Sequence, residues 1–416
     1  MATLGRACLI IALAVCVYGI VASIHGARSG RHDWAESGRR SVYAVALLAI
    51  CAFAVLEVAF LTSDFSFAVV ASHSSTTTPV FYRAAAAWSS QEGSLLLWLM
   101  LLSVWSSLVL WLTRRRLRDV APYATAVLLT FGAFFTGLLV FAASPFGTLA
   151  AVPQEGVGLN PLLRHPSMMI HPPMLYSGYT LFAIPFAFAI GALVVRRVDA
   201  EWIRSTRRFA LAAWFFLGVG ILLGARWSYA ELGWGGYWAW DPIENGGLLP
   251  WLAGVAFLHA AVVARRRDGP ATSAAGLATL AFGLGLLGSF LTRSGTSESV
   301  HAFAEARSVG WVLGIALVAA AVASVVLLAR RRSRVASATP WAVATNNLLL
   351  VGLVVVIGFG TVFPVLARWV TGDRVVVTGR YFALVAAPLA VGLLALIGAG
   401  PVPVNDLRHR LRPPVV

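Results

Sequence analysis

The sequence predicts an all-α, polytopic membrane protein with about eleven transmembrane helices. Of its 416 residues, 59% are hydrophobic and 12% are charged, whereas about 25% of the residues of an ordinary soluble domain are charged. The mean hydropathy of +0.80 points the same way. The apolar residues are gathered into eleven runs, and we interpret the chain, 1–416, as a single integral membrane domain.

Each run is long enough to cross a bilayer, because about 20 apolar residues in a helix span a hydrocarbon core ~30 Å thick. In chain order the runs occupy 4–24, 41–62, 90–112, 121–143, 171–195, 208–225, 248–264, 271–291, 309–330, 344–366 and 381–399. We interpret the first run as a span rather than a cleaved signal peptide, since its positive flank follows it. The cysteines all fall inside runs and lack CxxC spacing, so neither a disulfide nor a thiolate metal site is expected.

The formal net charge of +15 is distributed as membrane topology requires. The basic residues are arginines concentrated in alternate loops, and short arginine-rich loops stay on the cytoplasmic side. The pattern predicts an outside N-terminus, a cytoplasmic C-terminus and an exterior position for segment 226–247, with no nucleic-acid partner. The outer loops are longer and carry more Asn, Ser, Thr, His and aromatic residues, so we expect the function on that face.

Segment 226–247 holds the densest group of aromatic residues. Glycines, which allow a close backbone approach, alternate there with Trp227, Trp234, Tyr237, Trp238 and Trp240. An interfacial aromatic belt is the alternative, but a belt spreads its residues over many helix ends. We interpret the segment as a stacking surface for a large flat ligand, with haem as the leading candidate.

The charged residues of this segment have both structural and functional interpretations. Asp241 and Pro242 suit a helix N-cap and first turn, and Glu244 belongs to the same helix start. That capping role does not exclude a second one at a ligand. Arg226 could pair with a haem propionate through its planar fork, or it could be an interfacial arginine whose head reaches water.

Three of the eight histidines are candidate iron ligands, because imidazole nitrogen holds the iron in many haem proteins. Pro172 suits a first helical turn, so we expect His171 to lie extended just outside that turn. His301, in an outer loop, could bracket one iron with it; two interfacial histidines bonded to neighbours are the alternative. His259 lies inside a span, where an ionisable residue usually marks a site; a neutral ring satisfied by a neighbouring helix is the alternative. Solvated surface roles are expected for His25, His32 and His409, whereas His73 and His165, in outer segments, are weaker candidates for contact with a ligand or partner, with a solvated loop position as the alternative.

Five segments together resemble the CcmF family, the cytochrome c haem lyase subunits of bacterial and plant-mitochondrial maturation systems. WGGYWAWDPIEN resembles the tryptophan-rich WWD signature of haem-handling membrane proteins. The other four follow the family in order: HSSTTTPVFYRAAAAWSSQEGSLLLW at 73–98, LNPLLRHPSMMIHPPMLYSGY at 159–179, PWLAGVAFLHA at 250–260 and LTRSGTSESVHAF at 291–303. The tryptophan-rich motif alone would not separate CcmF from its relatives CcmC and CcsA.

The resemblance implies roles for particular residues. His171 and His301 match the histidines that flank a haem delivered by a CcmE-like chaperone, and His259 matches one axial ligand of a resident haem b. The tryptophan-rich segment would hold the delivered haem for transfer to the CxxCH cysteines of apocytochrome c. A CcmH-like thiol partner and a bacterial cytoplasmic (inner) membrane are implied as well.

Two departures from the family pattern are visible. Tyr237 stands where the family usually has another Trp, which keeps an aromatic face. CcmF chains also continue through further spans that contain the partner of the transmembrane histidine, whereas this sequence ends at Val416. Three explanations stay open: a separate C-terminal CcmF-like subunit, a longer natural chain, or a different mode of binding haem b.

The alternative function is a haem export or presentation protein, similar to CcmC or CcsA, that displays haem without ligation chemistry. Eleven spans and the QEGSLLLW segment favour a subunit of a haem lyase complex. A transporter of another ligand would need charges near the midplane, and Glu57 is the only acid well inside a predicted span.

Overall fold

The computed structural model of the protein describes residues 1–233, 235–267, 271–296, 299, 307–330 and 340–399. Every regular element in these ranges is helical, which confirms the predicted all-α class. Eleven helices of this part of the chain are long and apolar enough to cross a membrane, and each contains most of one predicted run. The protein is therefore a multi-pass membrane protein.

The helices in chain order are α1 (Ala2–Ser29), α2 (His32–Leu61), α3 (Ala68–His73), α4 (Val80–Ser89), α5 (Gln91–Leu112), α6 (Ala121–Phe141), α7 (Pro166–Val194), α8 (Ala200–Glu231), α9 (Pro242–Arg267), α10 (Thr272–Arg293), α11 (Arg307–Ala329), α12 (Trp341–Thr371) and α13 (Gly379–Ala399). A single 3-10 turn, Pro161–Leu163, precedes α7. The short helices α3 and α4 lie in the segment 63–89, between the second and third predicted apolar runs. They are too short to span a membrane.

Several helices continue past their apolar runs. The clearest case is α8, which has 32 residues. A helix can continue beyond the hydrocarbon core because its ends can carry polar residues while the backbone hydrogen bonds are kept. Asp199 starts it by accepting a hydrogen bond from the amide of Glu201 at 2.9 Å. The extension corrects the predicted loop 226–247: its first six residues belong to α8, and the connection to α9 is only 232–241.

Helix α7 is the centre of the bundle. In its most apolar stretch 94% of the residues are buried, against 11% in α11 and α13. It packs against α5, α6, α8 and α10. Small residues allow close crossings nearby: a β-carbon on Gly246 of α9 would lie 2.9 Å from the Cα of Gly288 of α10. The peripheral α11 and α13 present apolar side chains outward, as helices that face lipid do.

The two ends of the bundle differ in chemistry. At one end α5, α7 and α9 begin and α10 ends around a common cavity; we name it the tryptophan end, because the tryptophan-rich connection 232–241 lies there. At the opposite end, where α5 ends and α6 begins, four arginines line another cavity. The candidate iron ligand His171 lies at the tryptophan end.

Candidate functional site

A cavity of about 140 Å³ lies at the tryptophan end, and a smaller one of about 50 Å³ adjoins it. Three segments that are far apart in sequence, 85–94, 159–179 and 289–293, meet in the wall of the larger cavity. Each belongs to, or borders on, one of the motifs singled out in the sequence. His171 lines both cavities, so its ring lies between them.

The structure corrects the predicted backbone of His171. Helix α7 begins at Pro166, and the ring of His165 caps it by accepting from the amide of Ser167 at 3.1 Å. His171 thus lies inside the helix and not extended before it. Pro166 takes the first-turn position that was expected of Pro172. Pro172 and Pro173 lie inside the helix, although each lacks the N–H that would donate to the preceding turn.

The imidazole of His171 joins two helices. Its Nδ1 lies 2.7 Å from the main-chain oxygen of Gly220 on α8. A carbonyl oxygen can only accept, so Nδ1 carries the hydrogen and the lone pair of the neutral ring is on Nε2. Histidines that bind metals in proteins commonly donate their second ring N–H to a carbonyl in this way, which fixes the tautomer and the ring orientation.

Trp227 and Arg226 do not face this cavity together. Trp227 is fully buried within α8, and its indole N–H donates to the main-chain oxygen of Leu162 at 2.8 Å. It therefore fastens the loop before α7, and its role in stacking stays a prediction. The adjoining Arg226 is exposed at the end of α8. The helical continuation of α8 explains both results, because consecutive helical residues point in different directions.

The remaining aromatic residues of the segment are separated as well. Trp238 lines the smaller cavity with His171, whereas Trp240 lines a cavity against α12 and stacks on Phe382 of α13 at 4.8 Å. The planes of the two indoles are 89° apart. Tyr237 stacks on Tyr229, with ring centroids 4.4 Å apart. These described rings do not form one flat surface. Of the three, Trp238 is the one that lines a cavity together with His171.

Asp241 and Glu244 form a reciprocal cap at the start of α9, as predicted for the aspartate. The Asp241 carboxylate accepts from the amide of Ile243 at 2.8 Å, and Glu244 accepts from the amides of Ala239 and Asp241 at 3.0 and 3.2 Å. Such a capping box satisfies donors that a helix start leaves unpaired. The two acids hold the connection that carries Trp238.

Two predicted site residues, His301 and Trp234, lie outside the described residues. The pairing of His301 with His171 therefore stays a prediction, as does a role of Trp234 in stacking. The third histidine, His259, lies 17 positions after the first residue of α9, which places it about 25 Å along the helix axis at 1.5 Å per residue. It is remote from the cavity of His171.

The polar partner of His259 was not anticipated from sequence. The side-chain nitrogen of Asn346 on α12 lies 2.5 Å from Nδ1 of His259, and Asn347 is 3.5 Å from Asn346 through its side-chain oxygen. A signal was present, since two adjacent asparagines in a predicted span are costly unless they are hydrogen-bonded. An asparagine side chain can present either its oxygen or its nitrogen to a ring nitrogen.

Arg293 is a second residue that sequence reasoning missed. It ends α10, is 1% exposed and lines the larger cavity. Its guanidinium donates to the hydroxyl oxygens of Ser94 at 2.9 Å and Tyr176 at 3.1 Å. Ser94 precedes it by 199 positions, so only the packing of α5, α7 and α10 brings the three together.

The fold and the site define a multi-pass helical membrane protein with an imidazole-lined cavity at one end of its bundle. Residues 88–298 match the family model described as Cytochrome C assembly protein. The chain belongs to this family of cytochrome c assembly proteins.

Comparison with curated proteins confirms the resemblance to CcmF. The chain is 38% identical over 410 residues to the cytochrome c-type biogenesis protein CcmF of Escherichia coli (strain K12), covering 96% of this chain and 63% of that protein. It is 39% identical over 408 residues to CcmF of Pseudomonas aeruginosa, covering 95% and 62%. A solved structure of a cytochrome c haem lyase CcmF matches with a TM-score of 0.79 at 31% identity, covering 96% of this chain and 61% of that one. The chain thus spans less than two thirds of the length of these relatives.

Proposed function

We propose that the protein is a haem lyase subunit for cytochrome c maturation. The observation that carries the proposal is the orientation of His171, whose Nδ1 hydrogen is donated to the Gly220 carbonyl while the ring lines two cavities at the tryptophan end. This tautomer has its lone pair on Nε2, as an iron ligand requires. The similarity to CcmF supplies the reaction in which such a ligand would serve.

The haem would arrive as a substrate, delivered by a CcmE-like chaperone to the exterior face of the bacterial cytoplasmic (inner) membrane. His171 and His301 would take the axial positions of its iron, and Trp238 would contact the porphyrin. In the transfer, the S–H of each CxxCH cysteine of apocytochrome c adds across a haem vinyl C=C: an S–C bond forms, and the thiol hydrogen goes to the neighbouring carbon. The cysteines of this chain lie in α1 and α2, so the thiols belong to the apocytochrome and to a CcmH-like partner.

A resident haem b would be held by His259. The structure places the side-chain nitrogen of Asn346 against Nδ1 of His259. With that amide turned so that its oxygen faces Nδ1, the ring would fit the role, because Nδ1 would keep its hydrogen and Nε2 would carry the lone pair. Such a haem would supply an electron to the delivered one. We propose that a second histidine that would hold this haem comes from a region homologous to the later part of the CcmF relatives, in a C-terminal CcmF-like subunit or segment packed beside α9 and α12.

The experiment that tests the proposal measures holocytochrome c in a strain whose maturation depends on this protein. We expect His171→Ala to abolish holocytochrome while the protein still inserts into the membrane, and we expect added imidazole to restore part of it. The matched control is His165→Asn, which replaces a histidine of the same helix and keeps an N-cap acceptor.

The outcomes separate the two candidate functions. Wild-type holocytochrome in His171→Ala would refute the lyase proposal. If the purified wild-type protein, mixed with the haem chaperone, apocytochrome c and the other maturation partners, accumulates a haem–chaperone complex and forms no holocytochrome, the export or presentation function is the better description.

A further inference from the structure

Arg293 carries a buried positive charge without a carboxylate partner among the described residues. Its side chain is 1% exposed at the end of α10. Within the described part of the chain no carboxylate forms an ion pair with it, since all ion pairs there involve other arginines. Its hydrogen-bond partners among the described residues, Ser94, Tyr176 and the main-chain oxygen of Ser289, are neutral. A buried charge without a counter-charge costs several kcal/mol.

The donors that Arg293 leaves unused lie beside the cavity. Its Nε hydrogen has no hydrogen-bond acceptor among the described residues, and the buried hydroxyl of Ser289 has no partner there either. Both residues line the larger cavity. Buried donors of this kind are rare in proteins because each leaves a desolvation cost unpaid. Arg293 is also the only charged side chain among the described residues that is fully buried, so its unused donor beside a buried hydroxyl in one cavity wall indicates an anion-binding subsite.

The remaining contacts fix the guanidinium where it is. The Tyr176 ring also lies beneath it, with the guanidinium carbon 5.8 Å from the ring centroid. Tyr176 lies on α7, five positions after His171, so a shift of α7 would move the iron-ligand candidate and the anchored arginine together. The arginine and the imidazole are therefore both held in the cavity wall by contacts that involve α7.

We infer that Arg293, with Ser289, binds a carboxylate of the porphyrin whose iron His171 ligates. This rests on the proposed function and specifies the substrate: an iron porphyrin with free propionates. A cavity of about 140 Å³ accepts a carboxylate arm rather than a whole porphyrin. Arginine suits the task because its planar fork matches a carboxylate. The exposed Arg226 does not have this environment.

The test compares two iron porphyrins on the purified full chain in detergent, by absorbance titration: haem with free propionates and its dimethyl ester, which keeps the iron and loses the charges. We expect the wild type to prefer the diacid. Arg293→Gln should weaken diacid binding by about ten- to a hundredfold and leave ester binding unchanged, whereas Arg293→Lys should retain part of the preference. Arg116→Gln, at the opposite end of the bundle, is the control and should change neither affinity.

Each result decides. Equal wild-type affinity for the two porphyrins, or an equal loss of both in Arg293→Gln, would overturn the inference; the wild-type comparison needs no variant to fold. If His171-dependent binding of both porphyrins occurs without any preference for the diacid, the proposed function stands and only this inference fails. If neither porphyrin binds through His171, the proposed function and the inference fail together.

Discussion

Nδ1 of His171 on α7 lies 2.7 Å from the main-chain oxygen of Gly220 on α8. One imidazole therefore links the central helix of the bundle to the helix that leads into the tryptophan-rich connection. Because the bond fixes both tautomer and ring plane, any change that moves α8 at this level should alter iron ligation before it alters the fold.

Gly224→Ala tests this link directly. A β-carbon at position 224 would lie 2.6 Å from Cε1 of His171, so the ring must turn and its bond to Gly220 must weaken. We expect weaker binding of haem in absorbance titrations with an unchanged helical content by circular dichroism. Gly137→Ala on α6 is the control, since nothing lies within 4 Å of its added carbon. Equal haem affinity in the two variants would contradict the prediction.

Trp238→Leu and Trp240→Leu should have different effects. Trp238 lines a cavity with His171, so its loss should reduce haem capture. Trp240 stacks on Phe382, and its loss should loosen α13, detected as faster proteolysis around 372–378, with smaller effect on haem. An aromatic belt would tolerate either change. The same loss of haem in both variants would show that the separation of the two rings is unimportant.

The cap of α9 should have a measurable share in stability. Asp241→Ala removes the acceptor for the amides of Ile243 and Glu244 and should destabilise the helix start by about 0.5–2 kcal/mol. Asp241→Asn keeps an acceptor and should retain most of that stability. Hydrogen exchange of the amides of 243–245 measures the difference, and equal protection in the two variants would refute the capping role.

In the complex with the proposed C-terminal CcmF-like subunit, His259→Ala should remove the b-type absorbance spectrum. His171→Ala should leave that spectrum unchanged, because the two rings lie in different parts of the bundle. Asn346→Leu removes the bond to Nδ1 and should leave haem b bound with a changed midpoint potential, as outer partners of ligating histidines tune the metal. A b-type spectrum that survives His259→Ala would exclude this residue as a ligand.

The loop before α7 should weaken at low pH. Hydrogen bonds from the Thr76 side chain, the Thr76 amide and the Gly156 amide hold the pKa of Glu155 below its ordinary value. A carboxylate with a lowered folded-state pKa stabilises the fold above the unfolded-state pKa, and this contribution is lost as the pH falls through the folded-state pKa. Protection factors of the Thr76 amide should fall in that range. Glu155→Gln should show no such pH dependence.

The membrane helices and the first features of the site could be predicted from sequence because they depend on local composition. Eleven apolar runs give eleven helices, since transfer of about 20 apolar residues into hydrocarbon depends little on their neighbours. Asp241 as a cap followed from its place before Pro242. The sequence misplaced the beginning of α7 and the end of α8. Hydropathy marks the part of a helix that lies in lipid, and the helix can extend beyond that part.

The sequence by itself determined the fold class, the spans and the family, and it predicted a site at His171 and the tryptophan-rich segment. Only the tertiary structure decided that Trp227 is a buried anchor, that Trp238 and Trp240 face different cavities, that Asn346 contacts His259, and that Arg293 joins Ser94 and Tyr176. These contacts depend on the rotation and depth of each helix against its neighbours. Hydrophobicity is nearly uniform around a buried membrane helix, so close packing and hydrogen bonds between helices set those two quantities.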